Sequence, residues 1–289
     1  MKLASITFNR NDGYKEDERL LIHLLSLLDT FDEVNYVDWN SPNNSQLYNI
    51  IDKLPKNKKI KHYIIPPEIH RLYQDNIPNF PSVGVSFAIN LAIRRSDSDW
   101  FCSTTIDNIC PFRQELESLL KTDDTFYTIS RREVEYDLVY KNINNLNEYR
   151  TKLGKTTEPR YYHAKVTPND NFSIINCPGD FQFAPTYIWK KIKGYEENMF
   201  YACFADTNVQ KKVVLNGFKL KDIYDIPMYH MSHVNRLPQG NDPNYKTHEV
   251  SKNEPILYND PWKWVEFFKT TENDENWGLG DVDIEHEII

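Results

Sequence analysis

A short polar cluster in the middle of the chain carries side chains that are well placed for chemistry. Thr105, Ile106, Asp107 and Asn108 come directly after Trp100–Thr104, which has the apolar pattern of a short buried strand. In open α/β sheets, ligands bind outside the carboxyl ends of the strands. We therefore expect this cluster, and above all the Asp107 carboxylate, to belong to a binding site.

Other candidate side chains also lie where predicted elements begin or end. Asp38 ends a predicted second strand, and an Asx-turn is the competing interpretation of the same residue. Asp206 precedes a helix of apolar periodicity, so it either caps that helix or presents its carboxylate to a ligand. His230 and His233 follow a late strand-like run and are predicted either as ligands or as buried core histidines.

The elements that must position these residues follow from the apolar pattern. Strand-like runs alternate with helical stripes, and strand, helix, strand is the start of a right-handed parallel unit. His23, within the first helix, is expected on its solvent side. The sequence predicts strands at 3–8, 34–37, 62–65, 100–104, 125–130, 218–223 and 227–231, and a short strand fed by the turn at 177–183. It predicts helices at 16–29, 45–54, 113–120, 186–192, 207–215 and 262–268, a helix that starts near Gly84 and ends in a charged turn before Trp100, and irregular loops at 66–83 and 141–171. The fold class is therefore α/β, with a mixed, mainly parallel sheet flanked by helices.

Composition excludes several classes of partner. The 289 residues carry a formal net charge of −8 and contain no dense run of Lys or Arg, which disfavours a nucleic-acid partner. No apolar run reaches the length of a membrane span, so none is predicted. The 4 cysteines have neither metal-site nor disulfide-scaffold spacing, and we expect reduced thiols in a cytoplasmic protein.

Several segments, in order, carry a resemblance to a known family. The strand followed by Asn9-Arg10 and the strand ending in Asp38 open the series. The further segments are Asn90 to Arg95 with Asp99 to Phe101, Cys177 to Phe181, Trp189 to Glu197, Ala205-Asp206, and Tyr229-His230 through His233. Together they resemble the GT-A fold of family 2 glycosyltransferases over residues 1–236. The resemblance implies a nucleotide-binding half at about 1–110, an acceptor half at about 111–236, and a C-terminal extension at 237–289 with an acidic tail that packs on the domain.

The resemblance also implies roles for single residues. Asp206 would be the catalytic base of an inverting transfer, and Gly179, Asp180 and Trp189 would line the acceptor or sugar pocket. Asp107 would hold Mn²⁺ or Mg²⁺ with His230 or His233, although Thr105 stands where the family has another carboxylate. The residues implied in binding the nucleotide sugar are Phe8, Asn9, Arg10, Asp38, Trp39, Asn90, Arg94, Thr105, Ile106, Asp107 and Asn108.

The implied reaction moves a sugar from a UDP- or GDP-sugar to a hydroxyl of a glycan or protein-linked acceptor. Two alternatives stay open: a GT-A-like nucleotidyltransferase, and a non-catalytic domain that binds nucleotide sugars or glycans. The Asn, Lys and Ile content is typical of an AT-rich genome, and a viral protein would act in the host cytoplasm. The oligomeric state is left open, with a homodimer among the options.

Overall fold

The structure is a computed structural model that describes residues 1–10, 16–42, 44–76, 83–156, 179–197, 205–232 and 272–289. The strands are β1 (Leu3–Asn9), β2 (Glu33–Trp39), β3 (Ile60–Ile65), β4 (Trp100–Thr104), β5 (Asn108–Ile109), β6 (Thr125–Val134), β7 (Phe181–Pro185), β8 (Lys219–Met231) and β9 (His286–Ile288). The α-helices are α1 (Glu16–Thr30), α2 (Pro67–Asn76), α3 (Val85–Arg95), α4 (Arg113–Glu117), α5 (Tyr136–Lys141), α6 (Leu146–Thr156), α7 (Thr186–Lys191) and α8 (Ala205–Leu215). Three 3₁₀ turns lie at Gln46–Asn49, Ile51–Lys53 and Ile143–Asn145.

All described strands join one sheet in the order β5-β8-β6-β7-β4-β1-β2-β3-β9. The β3-β2-β1-β4 block is parallel, as is the β6–β8 pair, and β7 connects these two parts through antiparallel pairing on both sides. Most registered residue pairs are parallel. The predicted α/β class with a mixed, mainly parallel sheet is confirmed.

Alternation along the strands sends apolar side chains to both faces of the sheet, as expected for strands covered by helices. Ala4 and Ile6 of β1 pack in a cluster with α3, α7 and α8, while Leu3 packs in a second cluster with the leucines of α1. Because both faces are covered, polar groups can meet solvent mainly at the strand ends and the connecting loops. A binding site is therefore expected at the ends of the strands.

The prediction that His23 lies on the solvent side of α1 is wrong. The side chain is fully buried, and its Nδ1 donates a hydrogen bond to the Asn108 carbonyl oxygen (2.5 Å). The helix also packs against the edge strand β5, where Ile22 packs in one cluster with Ile109, so the face of α1 that carries His23 is covered by protein. Burial lowers the pKa of His23 to about 4, and its imidazole is neutral near pH 7.

Two predicted loops contain helices. The prolines of residues 66–83 predict an irregular loop, yet Pro67 is the first residue of α2, a position that favours proline because its missing N–H needs no partner there. Helix α6 lies within the predicted excursion at 141–171. Its buried side chains Leu146, Arg150 and Leu153 have helical spacing, but the arginine interrupts the apolar pattern.

Other boundaries also differ. The helix predicted at 45–54 is two 3₁₀ turns, and the two late strands are one continuous β8 that passes through Pro227. The pairing of β8 with β6 is irregular between Ile129 and Arg131, which accommodates a residue without a backbone N–H. The helix predicted at 262–268 lies outside the described residues.

The described cysteines and helices bear on two compositional predictions. Cys102 and Cys110 are buried free thiols, and burial raises the pKa of Cys110 to about 12. Cys177 and Cys203 lie outside the described residues. Within the described ranges, every helix is too short or too polar to cross a bilayer.

Candidate active site

The polar turn after β4 is fixed by the amide of Asn108. Its Nδ2 lies within hydrogen-bond distance of Thr104 Oγ1 (3.1 Å), Thr105 Oγ1 (3.0 Å) and the Asp180 carbonyl oxygen (2.8 Å). Asn108 is fully buried, and its Oδ1 finds no hydrogen-bond partner in the described part of the chain. The predicted motif at 105–108 and the predicted sugar-pocket turn at 179–180 therefore meet. Ile106 is half-buried and packs on the α1 side of the sheet.

Asp107 is paired with an arginine from α1. Arg19 Nη1 donates to Asp107 Oδ1 (2.8 Å), and the same guanidinium donates to the carbonyl oxygens of Met231 (3.3 Å) and Ser232 (2.9 Å). The backbone of Asp107 also accepts from Met231 N (2.7 Å). Arg19 is buried, whereas the Asp107 side chain keeps 25% of its surface exposed. The carboxylate thus already has a fixed positive partner.

The fit of a divalent cation can be judged from these contacts. His230, the second predicted ligand, places its Nδ1 2.9 Å from Glu133 Oε2, and His233 lies outside the described residues. Across the described ranges, no group of three or more His, Cys, Asp or Glu side chains is arranged to hold a metal ion. The described residues alone therefore do not form a metal site around Asp107.

Asp180, just before β7, is held by Arg131 from β6. Arg131 Nη1 lies 3.0 Å from both Asp180 Oδ1 and Oδ2, and Arg131 Nε lies 3.0 Å from Glu133 Oε1. Glu133 pairs across the sheet with His230, which itself pairs with Asn108 of β5. His230 of β8 and the Glu133 and Arg131 side chains of β6 therefore form a continuous row of polar contacts that ends at the Asp180 carboxylate.

Asp206 lies at the N-terminus of α8, against Gly179. An added Cβ at Gly179 would be 2.2 Å from Asp206 Cβ and 2.4 Å from its Oδ2. The carboxylate accepts from Thr207 N (2.8 Å), and the Asp206 carbonyl oxygen accepts from Gln182 Nε2 (3.2 Å). Residue 206 keeps some exposed surface, yet protein encloses most of its carboxylate. Desolvation, with a smaller contribution from the Asp180 charge, raises the pKa of Asp206 to about 6.

The predicted nucleoside-binding residues lie at the ends of β1 and β2, where Asn9 and Asp38 are register partners. Asn9 Nδ2 donates to Gln46 Oε1, Arg10 Nε donates to the Asn40 carbonyl oxygen (2.9 Å), and Ser41 Oγ donates to Asp38 Oδ1. The Ser41 contact is of the kind expected for a turn at Asp38, so both interpretations of Asp38 remain open. Phe8 is half-buried and packs against the core.

Four other predicted residues, Trp39, Trp189, Asn90 and Arg94, make contacts within the protein. Trp39 and Trp189 are fully buried, with Trp39 Nε1 donating to His70 Nδ1 (3.0 Å) and Trp189 Nε1 to the Phe101 carbonyl oxygen (3.1 Å). Core burial of both indoles disfavours their predicted roles in nucleotide stacking and in the acceptor pocket.

Asn90 and Arg94, on α3, bind other parts of the chain. Asn90 Nδ2 donates to the Tyr195 carbonyl oxygen (2.7 Å) and to Glu197 Oε1 (2.9 Å), and its Oδ1 accepts from Tyr195 N (2.7 Å). Arg94 Nη1 donates to the carbonyl oxygens of Glu275 (2.8 Å) and Trp277 (3.1 Å). These side chains hold neighbouring segments, which disfavours their predicted contacts with the donor.

Several residues at the site lie outside the sequence motifs. Arg19 and Arg131 belong to none of the motifs. Each contacts its carboxylate, Asp107 or Asp180, only because the fold brings distant parts of the sequence together. Gln182, with Tyr195 donating to its Oε1 (2.6 Å), supports the backbone of Asp206. The run ending at Arg131 has the pattern of a strand, but nothing in the sequence pairs it with Asp180.

No protein-family model matches the sequence, and no match was found among curated proteins. Solved structures do match. Staphylococcus aureus TarS 1-349 in complex with UDP-GlcNAc has a TM-score of 0.52 at 16% identity, covering 81% of this chain and 59% of that chain. The Pyrobaculum calidifontis mannosyltransferase PcManGT, in complex with GDP-Man and Mn²⁺, has a TM-score of 0.53 at 12% identity. The match covers 93% of this chain and 66% of that chain.

GalNAc-T7 with UDP, GalNAc and Mn²⁺ has a TM-score of 0.55 at 11% identity, covering 92% of this chain and 49% of that chain. The chain thus spans less than two thirds of the length of each of these three proteins. At such low identity the likeness concerns the backbone arrangement, and it extends over most of this chain. The protein has the GT-A fold of these glycosyltransferases.

Proposed function

We propose that this protein is an inverting glycosyltransferase that moves a sugar from a UDP- or GDP-sugar to a hydroxyl of a glycan or other acceptor. The observation that carries the proposal is the position of Asp206. Its carboxylate, with a pKa raised to about 6, lies against Gly179 and next to Asp180, which Asn108 links to the turn at the end of β4. The fold supports the proposal because its solved relatives include complexes with UDP-GlcNAc and GDP-Man.

Asp206 would act as the general base. A carboxylate with a pKa of about 6 is ionised at pH 7, yet it is a stronger proton acceptor than an ordinary Asp. It takes the proton of the acceptor hydroxyl while that oxygen attacks the anomeric carbon and the bond to the diphosphate breaks. Attack opposite the leaving group in a single displacement inverts the anomeric configuration.

Other residues would bind the two ends of the donor. Asp180, fixed by Arg131, is suited to accept hydrogen bonds from sugar hydroxyls. Asn9, Arg10 and Asp38 lie together at the ends of the first two strands and are proposed to bind the nucleoside. Thr105 is half-buried beside Asn108, and its hydroxyl is proposed to contact ribose or phosphate.

A divalent cation remains a prediction for this site. Two of the solved relatives contain Mn²⁺. In this chain the Arg19 guanidinium already pairs with Asp107, the residue predicted to hold the metal. The Mn²⁺ dependence of donor binding is therefore measured separately from transfer.

Substitution of the proposed base tests the function directly. The purified protein is incubated with UDP-glucose, UDP-GlcNAc, UDP-galactose or GDP-mannose and a panel of methyl glycosides as acceptors, and products are identified by mass spectrometry. Asp206→Asn should lower the transfer rate by about 10²–10⁴-fold, the usual contribution of a general base. The exposed Asp225→Asn serves as the matched control and should transfer at the wild-type rate.

Three results would contradict the proposal. Transfer by Asp206→Asn at the wild-type rate would remove the base assignment. Nucleotide-sugar binding by calorimetry without any product in the wild type would favour the non-catalytic binding domain. Release of pyrophosphate from a nucleoside triphosphate and a sugar 1-phosphate would favour the nucleotidyltransferase.

A further inference from the structure

The ion pair between Arg131 and Asp180 has the geometry of a fixed support. One guanidinium nitrogen lies 3.0 Å from both carboxylate oxygens, and the Arg131 Nε is held 3.0 Å from Glu133 Oε1. Both side chains are largely buried, with 16% and 18% of their surfaces exposed. Charge-assisted hydrogen bonds in such a setting are strong and leave the carboxylate little freedom.

The backbone explains why Arg131 can reach this point. The pairing of β6 with β8 becomes irregular just before Arg131, and irregularities of this kind re-aim side chains near binding sites. Arg131 and Glu133 are two residues apart in the strand and therefore share one face of the sheet. Glu133 in turn contacts His230 of β8, so the side chain that holds Arg131 Nε is itself held by a neighbouring strand.

Asp180 is also a neighbour of the proposed base. Gly179, which precedes it, leaves no room for a side chain beside Asp206, and the negative charge of Asp180 adds to desolvation in raising the pKa of Asp206. Tyr195 also lies close enough to interact with Asp206, and burial raises the pKa of Tyr195 strongly, so its hydroxyl stays neutral.

We propose that Arg131 is a positioning residue of this site, which fixes the Asp180 carboxylate beside Asp206 and thereby controls the charge that the base experiences. The inference rests on the proposed function for its catalytic meaning. It assigns to Arg131 a role that is exerted through the Asp180 carboxylate. If the ion pair had only a structural role, its loss would alter stability but would not shift the Asp206 pKa in opposite directions in the two variants.

The two partners should shift that titration in opposite directions. Asp180→Asn removes a negative charge next to Asp206, so the ionised base becomes easier to form and its pKa falls. Arg131→Gln removes the positive charge that balances Asp180, so the Asp206 pKa rises. Each shift should be about one unit, as is usual for a neighbouring charge. Arg131→Lys keeps the charge and should stay within a few tenths of a unit of wild type.

The experiment combines an activity profile with a direct titration. The pH dependence of kcat/KM is measured for wild type, Asp180→Asn, Arg131→Gln, Arg131→Lys and the neighbouring Arg132→Gln as control, together with the thermal midpoint of each variant. In parallel, the Asp206 carboxyl carbon is titrated by ¹³C NMR in protein labelled at aspartate, which needs no turnover. Opposite shifts of the acidic limb and of the NMR pKa, with Arg132→Gln unchanged, support the proposal.

Shifts in the same direction, or lost activity with an unshifted NMR titration, overturn it and leave a structural ion pair. If no variant and no wild type shows transfer, the proposed function fails. The NMR titration then still decides whether Arg131 and Asp180 control the Asp206 carboxylate. The two failures are therefore distinguishable.

Discussion

Gly179 determines how closely the acceptor-side turn can approach the proposed base. Any side chain at this position would overlap Asp206, whose Cβ, Oδ2 and Cγ all lie within 2.6 Å of the point that an added Cβ would occupy. The constraint comes from packing, because Gly179 is not among the residues with positive φ. Gly217 has the opposite character: its φ is +80°, but no atom lies within 4 Å of an added Cβ. Gly179 is therefore required for lack of space, whereas Gly217 is required for its backbone conformation.

We predict different losses for the two alanine variants. Gly179→Ala must displace the Asp206 side chain, and displacements of about 1 Å can lower rates about 10²-fold, so kcat should fall by at least tenfold. Gly217→Ala should cost about 1–2 kcal/mol of stability because of its left-handed backbone, with kcat unchanged. Urea unfolding and transfer kinetics measure both. Equal kinetic losses in the two variants would contradict the packing argument.

At the residue scale, the sequence indicated carboxylates better than it indicated their partners. Asp107, Asp180 and Asp206 stand at the ends of predicted elements, where polar residues are readily noticed. Arg19 and Arg131 contact them across 88 and 49 residues of sequence, and no local pattern reports such a pairing. Trp39 and Trp189 illustrate the reverse difficulty, because an indole that packs in the core has the same sequence signal as one that stacks on a ligand.

At the scale of elements, the C-terminal segment 272–289 is tied to α3 by arginine. Arg95 donates from Nη1 to the Gly278 carbonyl oxygen (2.7 Å) and from Nη2 to the carbonyl oxygens of Leu279 (2.9 Å) and Val282 (3.2 Å). Beyond this turn, β9 pairs with β3 at the edge of the sheet. The segment is therefore held at two places.

Loss of the Arg95 contacts should destabilise the protein measurably. Arg95→Ala leaves three carbonyl oxygens without their charged donor, and we expect a loss of about 2 kcal/mol or more in the free energy of unfolding. Arg71→Ala is the matched control, since its ion pair with Glu68 on α2 is exposed and should contribute less than about 1 kcal/mol. Urea unfolding followed by tryptophan fluorescence compares the two. Equal losses would mean that Arg95 does not anchor the segment.

The parallel strands and α1 could be predicted directly from apolar periodicity. Helices α2 and α6 were not predicted, and each failure has a physical reason. Helix α2 begins at a proline that also suits a loop, and α6 buries Arg150 where the pattern calls for an apolar residue. The buried arginine is compensated by Asp29, at 3.1 Å, and by the Cys110 carbonyl oxygen. Such compensation depends on tertiary contacts, so a single sequence does not reveal it.

At the scale of the whole molecule, one sheet carries both halves of the proposed site. The nucleoside candidates lie at the ends of β1 and β2, and the proposed base and sugar-pocket residues lie around β7, which connects the two parallel parts. A ligand that bridges these halves would stabilise the native state without binding the unfolded chain. Stability should then rise with ligand concentration as RT ln(1 + [L]/Kd).

We therefore predict that UDP or GDP raises the midpoint of thermal unfolding. A diphosphate present at 100 times its Kd adds about 2.7 kcal/mol, which corresponds to several degrees for a chain of this size. Asp38→Asn should reduce the shift, whereas Asp52→Asn, at an exposed position, should keep it. Repeating the scan with Mn²⁺ and with EDTA measures whether Arg19 suffices as the positive partner of Asp107 during binding. Failure of both UDP and GDP to shift the midpoint at millimolar concentration would contradict a nucleotide-sugar site.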